Sequence, residues 1–376
     1  MTQKITHWHS ESIYINQLSP ACQLCSEGAK LVLLITGLCP ASCYYCPLSM
    51  EKGGKDRIFA DEWELKNEED IETILTEADL IDAKGAGITG GDPLSVPRRT
   101  IDYITQLKNT FGDLFHIHLY TSGLEHHQCI KDLASAGLDE IRFHPMPQAW
   151  NTMDTSPLAS VISDALKTDM DVAIEIPVIP QMNDEINALI TWADQQGLNW
   201  VNLNELEFSE RNENALRAKG FQEKNDISAA VQQSQETATK IIESFTSSDV
   251  NIGVHFCSAS FKDGIQLKNR MLRRAHKIAA PFDVITEDAT ILKGIIQAKN
   301  PAHLETIHTY IIEAYTLTKQ DYRIDTKELQ IHLPIPLLEE IAQDLKHLDA
   351  PCYISEQYPT HDQLEVERIP LPLNNQ

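Results

Sequence analysis

The sequence predicts an α/β protein: an incomplete (β/α)6 TIM-like barrel with a small C-terminal α+β domain. Three observations carry this. Six apolar, strand-like runs alternate with amphipathic stretches through residue 210, the pattern changes near residue 280, and five of the eight cysteines fall between Cys22 and Cys46. The strand candidates are 30–37, 85–91, 115–123, 140–145, 171–180 and 200–207, with 251–258 as a seventh. Polar or amphipathic segments at 98–110, 126–136, 157–168 and 184–196 lie between them. Such alternation implies parallel strands covered by helices, with the chemistry in the loops after the strands.

Four segments are expected: an N-terminal extension with a C-x2-C pair (1–27), the barrel (28–210), bridging helices and a strand (211–280) and the α+β domain (281–376). The polar link 208–228, where barrel passes into bridge, reads as a surface excursion or a lid. In the last segment, 289–297, 301–315, 323–334, 336–347, 352–359 and 363–371 read as β-α-β-α-β-β.

Fifty-five acidic residues against 31 basic ones leave a formal net charge of -24 over 376 residues. That argues against a partner that is a nucleic acid backbone or an anionic membrane surface. The longest clean apolar run is Leu31–Ile35, far short of a membrane helix, and the N-terminus has no apolar core of a secretory signal. A cytoplasmic, reducing location is expected, where eight cysteines point to metal ligation or redox chemistry rather than disulfides.

Directly after the first strand candidate comes GLCPASCYYCP, placing Cys39, Cys43 and Cys46 in a C-x3-C-x2-C pattern. Three thiolates on one short loop wrap three corners of an iron–sulfur cube and leave the fourth iron open for chemistry. The competing readings are buried free thiols or a zinc site, for which paired C-x2-C knuckles are usual. ITGGDP follows the second strand candidate, LYTSG ends the third and EIPVIPQMND spans the fifth.

Together these stretches resemble the radical S-adenosylmethionine (SAM) enzymes. The resemblance implies that Cys39, Cys43 and Cys46 hold a [4Fe-4S] cluster whose fourth iron chelates SAM. It implies a cluster that cleaves SAM reductively, yielding a radical that abstracts hydrogen from substrate. It places Tyr45 beside the adenine, and Gly90, Gly91, Asp92 and Pro93 at the SAM amino group, with Asp where Glu is usual. Ser122 would contact the SAM carboxylate or ribose, and Glu175 the ribose or ammonium. A low-potential electron donor of the ferredoxin or flavodoxin type is implied. EIPVIPQMND looks like the P-x-I-P-G-x-N-D stretch of glycyl-radical enzyme activases, with Gln181 in place of glycine. GAKLVLLITGLCPASCYYCPLS and Gly53-Gly54-Lys55-Asp56 are most similar to archaeal proteins described as related to the pyruvate formate-lyase activating enzyme. This fixes an oxidoreductase-type chemistry and leaves the target open. Glycyl-radical activation, RNA or protein modification, and a non-catalytic iron–sulfur or zinc scaffold are the alternatives.

Cys22 and Cys25 can supply two tetrahedral ligands, with His255 and Cys257 as partners in a second metal site. Structural zinc is the first reading, a second iron–sulfur cluster the next, unligated thiols the bland one. Strand ends carry His144, Glu205 and Glu207, each able to orient substrate or move a proton, or simply to terminate a strand. Arg270, Arg273 and Arg274, with Lys277, share one helix face that suits a substrate phosphate or carboxylate, or pairing with acidic neighbours. Cys129 and Cys352 read as ordinary small residues.

Overall fold

The computed structural model describes residues 4–225 and 228–371. The ends of the expected N-terminal extension and C-terminal domain (1–3 and 372–376) and part of the 208–228 link (226–227) lie outside the described residues. The chain divides into two compact units between Leu267 and Lys268. The helix Lys268–Ile278 falls in the second unit.

In the first unit, seven parallel strands form one sheet: β3 (Lys30–Leu34), β6 (Gly85–Thr89), β7 (His116–Thr121), β8 (Glu140–Phe143), β9 (Asp171–Val178), β10 (Trp200–Glu205) and β11 (Gly253–Cys257). The full order is β1-β2-β11-β10-β9-β8-β7-β6-β3-β4-β5. Two short hairpins, β1 (Thr6–His7) with β2 (Ile13–Ile15) and β4 (Phe59–Ala60) with β5 (Trp63–Glu64), extend its two edges. They pair the edge strands that would otherwise offer open backbone groups. Neither hairpin has the alternating run that marks a strand in sequence.

The helices follow from apolar spacing and end signals. α1 (Pro20–Ser26) starts at Ser19, whose side chain accepts from the Ala21 amide. α2 (Ile71–Leu80) lies in a segment so acidic that charge hides its buried face of Ile74, Glu77 and Ala78. α3 (Pro97–Phe111) has Pro at its first turn and buries Thr100, Tyr103, Ile104 and Leu107. α4 (Ile130–Ala136) and α5 (Pro157–Ala165) follow β7 and β8, and Ser156 caps α5. α6 (Asn183–Gln196) buries Ile186, Leu189, Ile190 and Ala193, and Gly197 ends it at φ +79. α7 (Glu213–Ala218) and α8 (Ser234–Phe245) precede β11.

Strand alternation sorts the side chains into two populations. One face (Leu31, Leu33, Ile88, Ile117, Leu119, Ile141, Phe143, Ile174, Ile176, Val201, Leu203, Val254 and Phe256) is fully buried in the main core. Each such side chain stabilises the fold by about 1.5–3 kcal/mol. The alternate positions carry Lys30, His118, Tyr120, Arg142, Glu175, Asn202, Asn204 and His255, all lining a cavity. The inner face is therefore polar, which is unlike a barrel packed with branched aliphatics.

The second unit has a six-stranded sheet: β12 (Val284–Ile285), β13 (Ile291–Gln297), β14 (Arg323–Asp325), β15 (Gln330–Leu333), β16 (Cys352–Gln357) and β17 (Glu365–Pro370), all paired antiparallel. Helices Pro301–Tyr315 and Ile335–Ile341 bury Ile307, Ile311, Leu338 and Ile341 with Ile296, Ile331 and Leu333 of the sheet.

Gln181, standing where the resembling motif has glycine, holds φ +74. A side chain there costs about 1–2 kcal/mol, partly offset by the greater chain entropy that glycine loses on folding. Gln181→Gly is expected to raise the unfolding free energy by up to about 1 kcal/mol, read from the urea midpoint at unchanged m-value.

Candidate active site

The cysteine loop leaves the C-terminal end of β3 and returns at β4. Its base is tied from both sides. The Gly37 amide donates to the Lys55 carbonyl (2.9 Å), and the Gly54 amide to the Gly37 carbonyl (2.8 Å). Thr36 donates to Asp56 (2.8 Å), and Arg99 of α3 forks onto the same carboxylate at 2.7 and 3.0 Å. From the other side, the buried Asn212 donates to the carbonyls of Tyr45 and Glu207, both at 3.0 Å. Lys219 lies 4.3 Å over the Tyr44 ring. Asn212 and Lys219 thus clamp the cysteine loop.

The Gly90-Gly91 turn is fused to this loop through backbone. The Gly91 amide donates to the Thr36 carbonyl and the Asp92 amide to the Leu38 carbonyl, both at 2.7 Å. A Cβ on Gly91 would stand 2.1 Å from the Leu38 carbonyl oxygen, and Gly90 adopts φ +138. Only glycine permits so close an approach.

Cys39, Cys43, Cys46, Gly90 and Gly91 line one cavity of about 480 Å³, which continues along the polar inner face of the strands. That volume suits a small-molecule ligand. Cys39 is exposed, Cys43 and Cys46 are half-buried, and none is in a disulfide. Burial pushes the Cys39 thiol up to about 11 and raises Cys43 as well. Metal loading of these thiols therefore releases protons and strengthens with pH.

The other candidates are distributed as follows. Asp92 and Pro93 stand behind the glycines and do not line the cavity. Asp92 accepts from Leu94 N (3.0 Å), Thr121 Oγ1 (2.8 Å), Ser122 N (2.9 Å) and Ser122 Oγ (2.5 Å). Its carboxylate thus stitches the β6 loop to the end of β7. Ser122 lines the cavity with its hydroxyl committed to Asp92. Tyr45 is buried and its hydroxyl meets His144 Nε2 at 2.9 Å. His144 Nδ1 is 2.8 Å from the Glu175 carbonyl, which only accepts. Nδ1 therefore carries the proton and Nε2 accepts from Tyr45. Burial lowers the His144 pKa, keeping the ring neutral.

Glu205 is 3% exposed. Its Oε2 accepts from the Ala259 amide (2.8 Å), while Oε1 has no hydrogen-bond partner among the described residues and faces Lys224 Nζ at 3.7 Å. Burial raises its pKa. Glu207 is paired with Lys262. Glu175 accepts from Arg142 (2.6 Å), Asn202 (3.1 Å) and Asn204 (2.7 Å), so both its oxygens are engaged inside the cavity. Cys22, Cys25, His255 and Cys257 line the same cavity. Arg270, Arg273 and Arg274 lie on the helix Lys268–Ile278 of the second unit, and no cavity-lining side chain is theirs. Arg274 is buried and donates to the Pro359 carbonyl.

Arg142, Asn202 and Asn204 are functional candidates that the motifs do not single out. Arg142 pairs with Glu140 (2.5 Å) and Glu175, and donates to Ser19 Oγ (3.0 Å) and Cys22 Sγ (3.5 Å). The available signal is a polar residue at every second strand position, as in HIHLYT and WVNLNE.

Two outcomes are expected. Arg142→Met strands the carboxylates of Glu140 and Glu175 without their cation and should cost about 3–5 kcal/mol in chemical denaturation. Burial holds His116 down to about 4 and His118 well below the usual imidazole range. Between about pH 4 and 6.5 the unfolded chain binds protons that the native chain refuses. Stability should thus fall as pH drops from 7 to 5, by about 2 kcal/mol in all for each histidine. His118→Phe should flatten that slope.

The radical SAM superfamily profile matches residues 33–193, and a domain of unknown function (DUF8061) matches 289–371. A protein of Methanocaldococcus jannaschii, provisionally named a glycyl-radical enzyme activating enzyme, is 39% identical over 364 residues, covering 95% of this chain and 93% of the relative. Among solved structures, Streptococcus suis SuiB bound to S-adenosylmethionine is 13% identical, over 61% of this chain and 50% of that chain, with TM-score 0.43. The methyltransferase TsrM of Kitasatospora setae, with cobalamin and a [4Fe-4S] cluster bound, is 11% identical, over 69% and 54%, with TM-score 0.36. The chain spans about half the length of these solved structures. The cysteine loop joined to a glycine turn over one cavity and the identity across nearly the whole relative agree: the chain belongs to the radical SAM superfamily.

Proposed function

We propose that Cys39, Cys43 and Cys46 hold a [4Fe-4S] cluster and that the polar cavity beyond it receives SAM and the substrate. The observation that carries this is the convergence of three unbridged thiols and the Gly90-Gly91 turn on the mouth of a single cavity. The donor set fits the group, because three thiolates from one loop leave one corner of a cube to a ligand. Bound there, cluster and SAM would supply the radical chemistry needed for hydrogen abstraction from substrate.

The protein's part is binding, orientation and exclusion of water. Gly90 and Gly91 offer backbone to the SAM amino group. Asp92 acts from behind, fixing Thr121 and Ser122 at the rim. Tyr45 and His144 act as one hydrogen-bonded pair beside the cofactor. Glu175 and Asn204 present their cavity-facing edges to the ribose or to substrate. Glu205 Oε1 is the proton acceptor within reach of substrate, and Glu207 is held by Lys262. The sheet is read as an incomplete barrel, open between the β1-β2 and β4-β5 hairpins, a reading supported by a strand order that does not close. The second unit, with Arg270 and Arg273 on its first helix, is read as the part that recognises substrate or partner. A low-potential ferredoxin or flavodoxin supplies the electron. A second reading, activation of a glycyl-radical enzyme, is favoured by the name of the relative that is 39% identical. A glycyl radical signal on an added partner protein would select it.

Anaerobic reconstitution with iron and sulfide should give about four irons per chain at the loop, and dithionite with SAM should give 5'-deoxyadenosine. Cys43→Ala should abolish the nucleoside and the loop-bound iron. Nucleoside formation undiminished in that variant would overturn the assignment.

A further inference from the structure

Four metal-ligating side chains outside the cysteine loop share one wall of the cavity. Cys22 and Cys25 stand three residues apart on α1, on one helix face. His255 and Cys257 stand two apart on β11, on one strand face. All four line the cavity and no cysteine among them is bridged. We infer that Cys22, Cys25, Cys257 and His255 form a second metal centre, of the iron–sulfur kind, independent of the cluster on the 39–46 loop.

Asn202 is the hinge of the argument. It is 2% exposed and lies between the two halves of the set. Its Nδ2 donates to Glu175 Oε2 at 3.1 Å, and a carboxylate only accepts, so the orientation of the amide is fixed. Its Oδ1 then faces His255 Nδ1 at 3.3 Å and requires the proton on that nitrogen. The other ring nitrogen, Nε2, is left with a bare lone pair. It is buried and has no hydrogen-bond partner among the described residues. A ring that gives its outer N–H to a carbonyl oxygen and keeps an unshared lone pair inward is prepared as metal-ligating histidines are. A buried acceptor of this kind left unsatisfied would otherwise cost about 1–3 kcal/mol.

The cysteine half is prepared too. Cys22 Sγ is 3.5 Å from Arg142 Nη2 and 3.6 Å from Asn202 Nδ2. The sulfur thereby lies beside the same amide that orients His255. Ser19, which caps α1, donates to Glu140 at 2.7 Å and accepts from Arg142, so the helix bearing both cysteines is anchored to β8. Side chains from α1, β8, β10 and β11 thus converge on one point.

Among the described residues no three His, Cys, Asp or Glu side chains are grouped as ligands around a single ion, here or at the 39–46 loop. Three cysteines and one imidazole on the cavity that also holds that loop are a donor set an iron–sulfur cluster accepts, and acid-labile sulfide separates it from zinc.

The test removes the first cluster and asks what stays. The triple variant Cys39→Ala/Cys43→Ala/Cys46→Ala is reconstituted anaerobically with iron and sulfide, desalted, and analysed for iron, acid-labile sulfide, zinc and visible charge-transfer absorption. Retained iron and sulfide in about equal amounts, lost on adding Cys25→Ser, is the expected result. A triple variant that binds neither iron nor sulfide, or holds zinc alone, overturns the inference. Should the triple variant not fold, the same count is made on the otherwise unaltered chain with Cys25→Ser or His255→Ala. Iron should then fall from about eight to about four per chain. A count of about four in the unaltered chain, unchanged by either substitution, overturns the second centre while leaving the loop cluster intact.

Discussion

The guanidinium of Arg142 is the pivot of the first unit. It is buried in the polar face of the sheet and bonded to Glu140 and Glu175, to the capping Ser19 and to Cys22. Those partners lie on or beside α1, β8 and β9, and Glu175 passes the contact on to Asn202 and Asn204 of β10. A buried charge is tolerable only when paired and hydrogen-bonded throughout. The network therefore fixes where the N-terminal helix lies and which rotamers face the cavity. A barrel filled with aliphatic side chains would be simpler to stabilise and would leave no room for a ligand.

The mouth of the cavity rests on a different device. Two loops from neighbouring strands are spliced backbone to backbone, Gly91 to Thr36 and Asp92 to Leu38. The splice needs glycine because any Cβ there would overlap a carbonyl oxygen. Asp92 then locks the second loop to the third strand by three hydrogen bonds. Three strand ends are thereby held in register around the cysteines, and the Asp56–Arg99 fork and Asn212 close the cysteine loop from outside. This is the rigidity that a site handling a reactive radical requires, since position selects which hydrogen is taken.

Much of this was legible in the order of residues. The strand runs after residue 28 alternate strongly, and each observed parallel strand falls within an expected run. The cysteine loop and the glycine turn were visible because their function restricts residue type at fixed spacing. The role of Asp92 was not. Its motif position suggests a ligand contact, whereas its hydrogen bonds run to the β7 end, thirty residues away in sequence. The hairpins β1-β2 and β4-β5 are too short to show periodicity, and the acidic surface of α2 masks its buried face. Nor did local sequence mark Asn212 as a clamp, since it is one polar residue among many until it meets the Tyr45 carbonyl.

The sequence by itself determined the strand–helix alternation and the thiol spacing, because these depend on periodicity and on residues close along the chain; the chemistry class came with the family resemblance that those motifs carry. Only the tertiary structure decided that Cys22 and His255 both meet Asn202, that Glu175 is already bonded to Arg142, and that the arginines of 268–278 belong to the second unit. Those facts are pairings across distant parts of the chain. Burial and hydrogen-bond satisfaction choose them, and neither is written into any local stretch of residues.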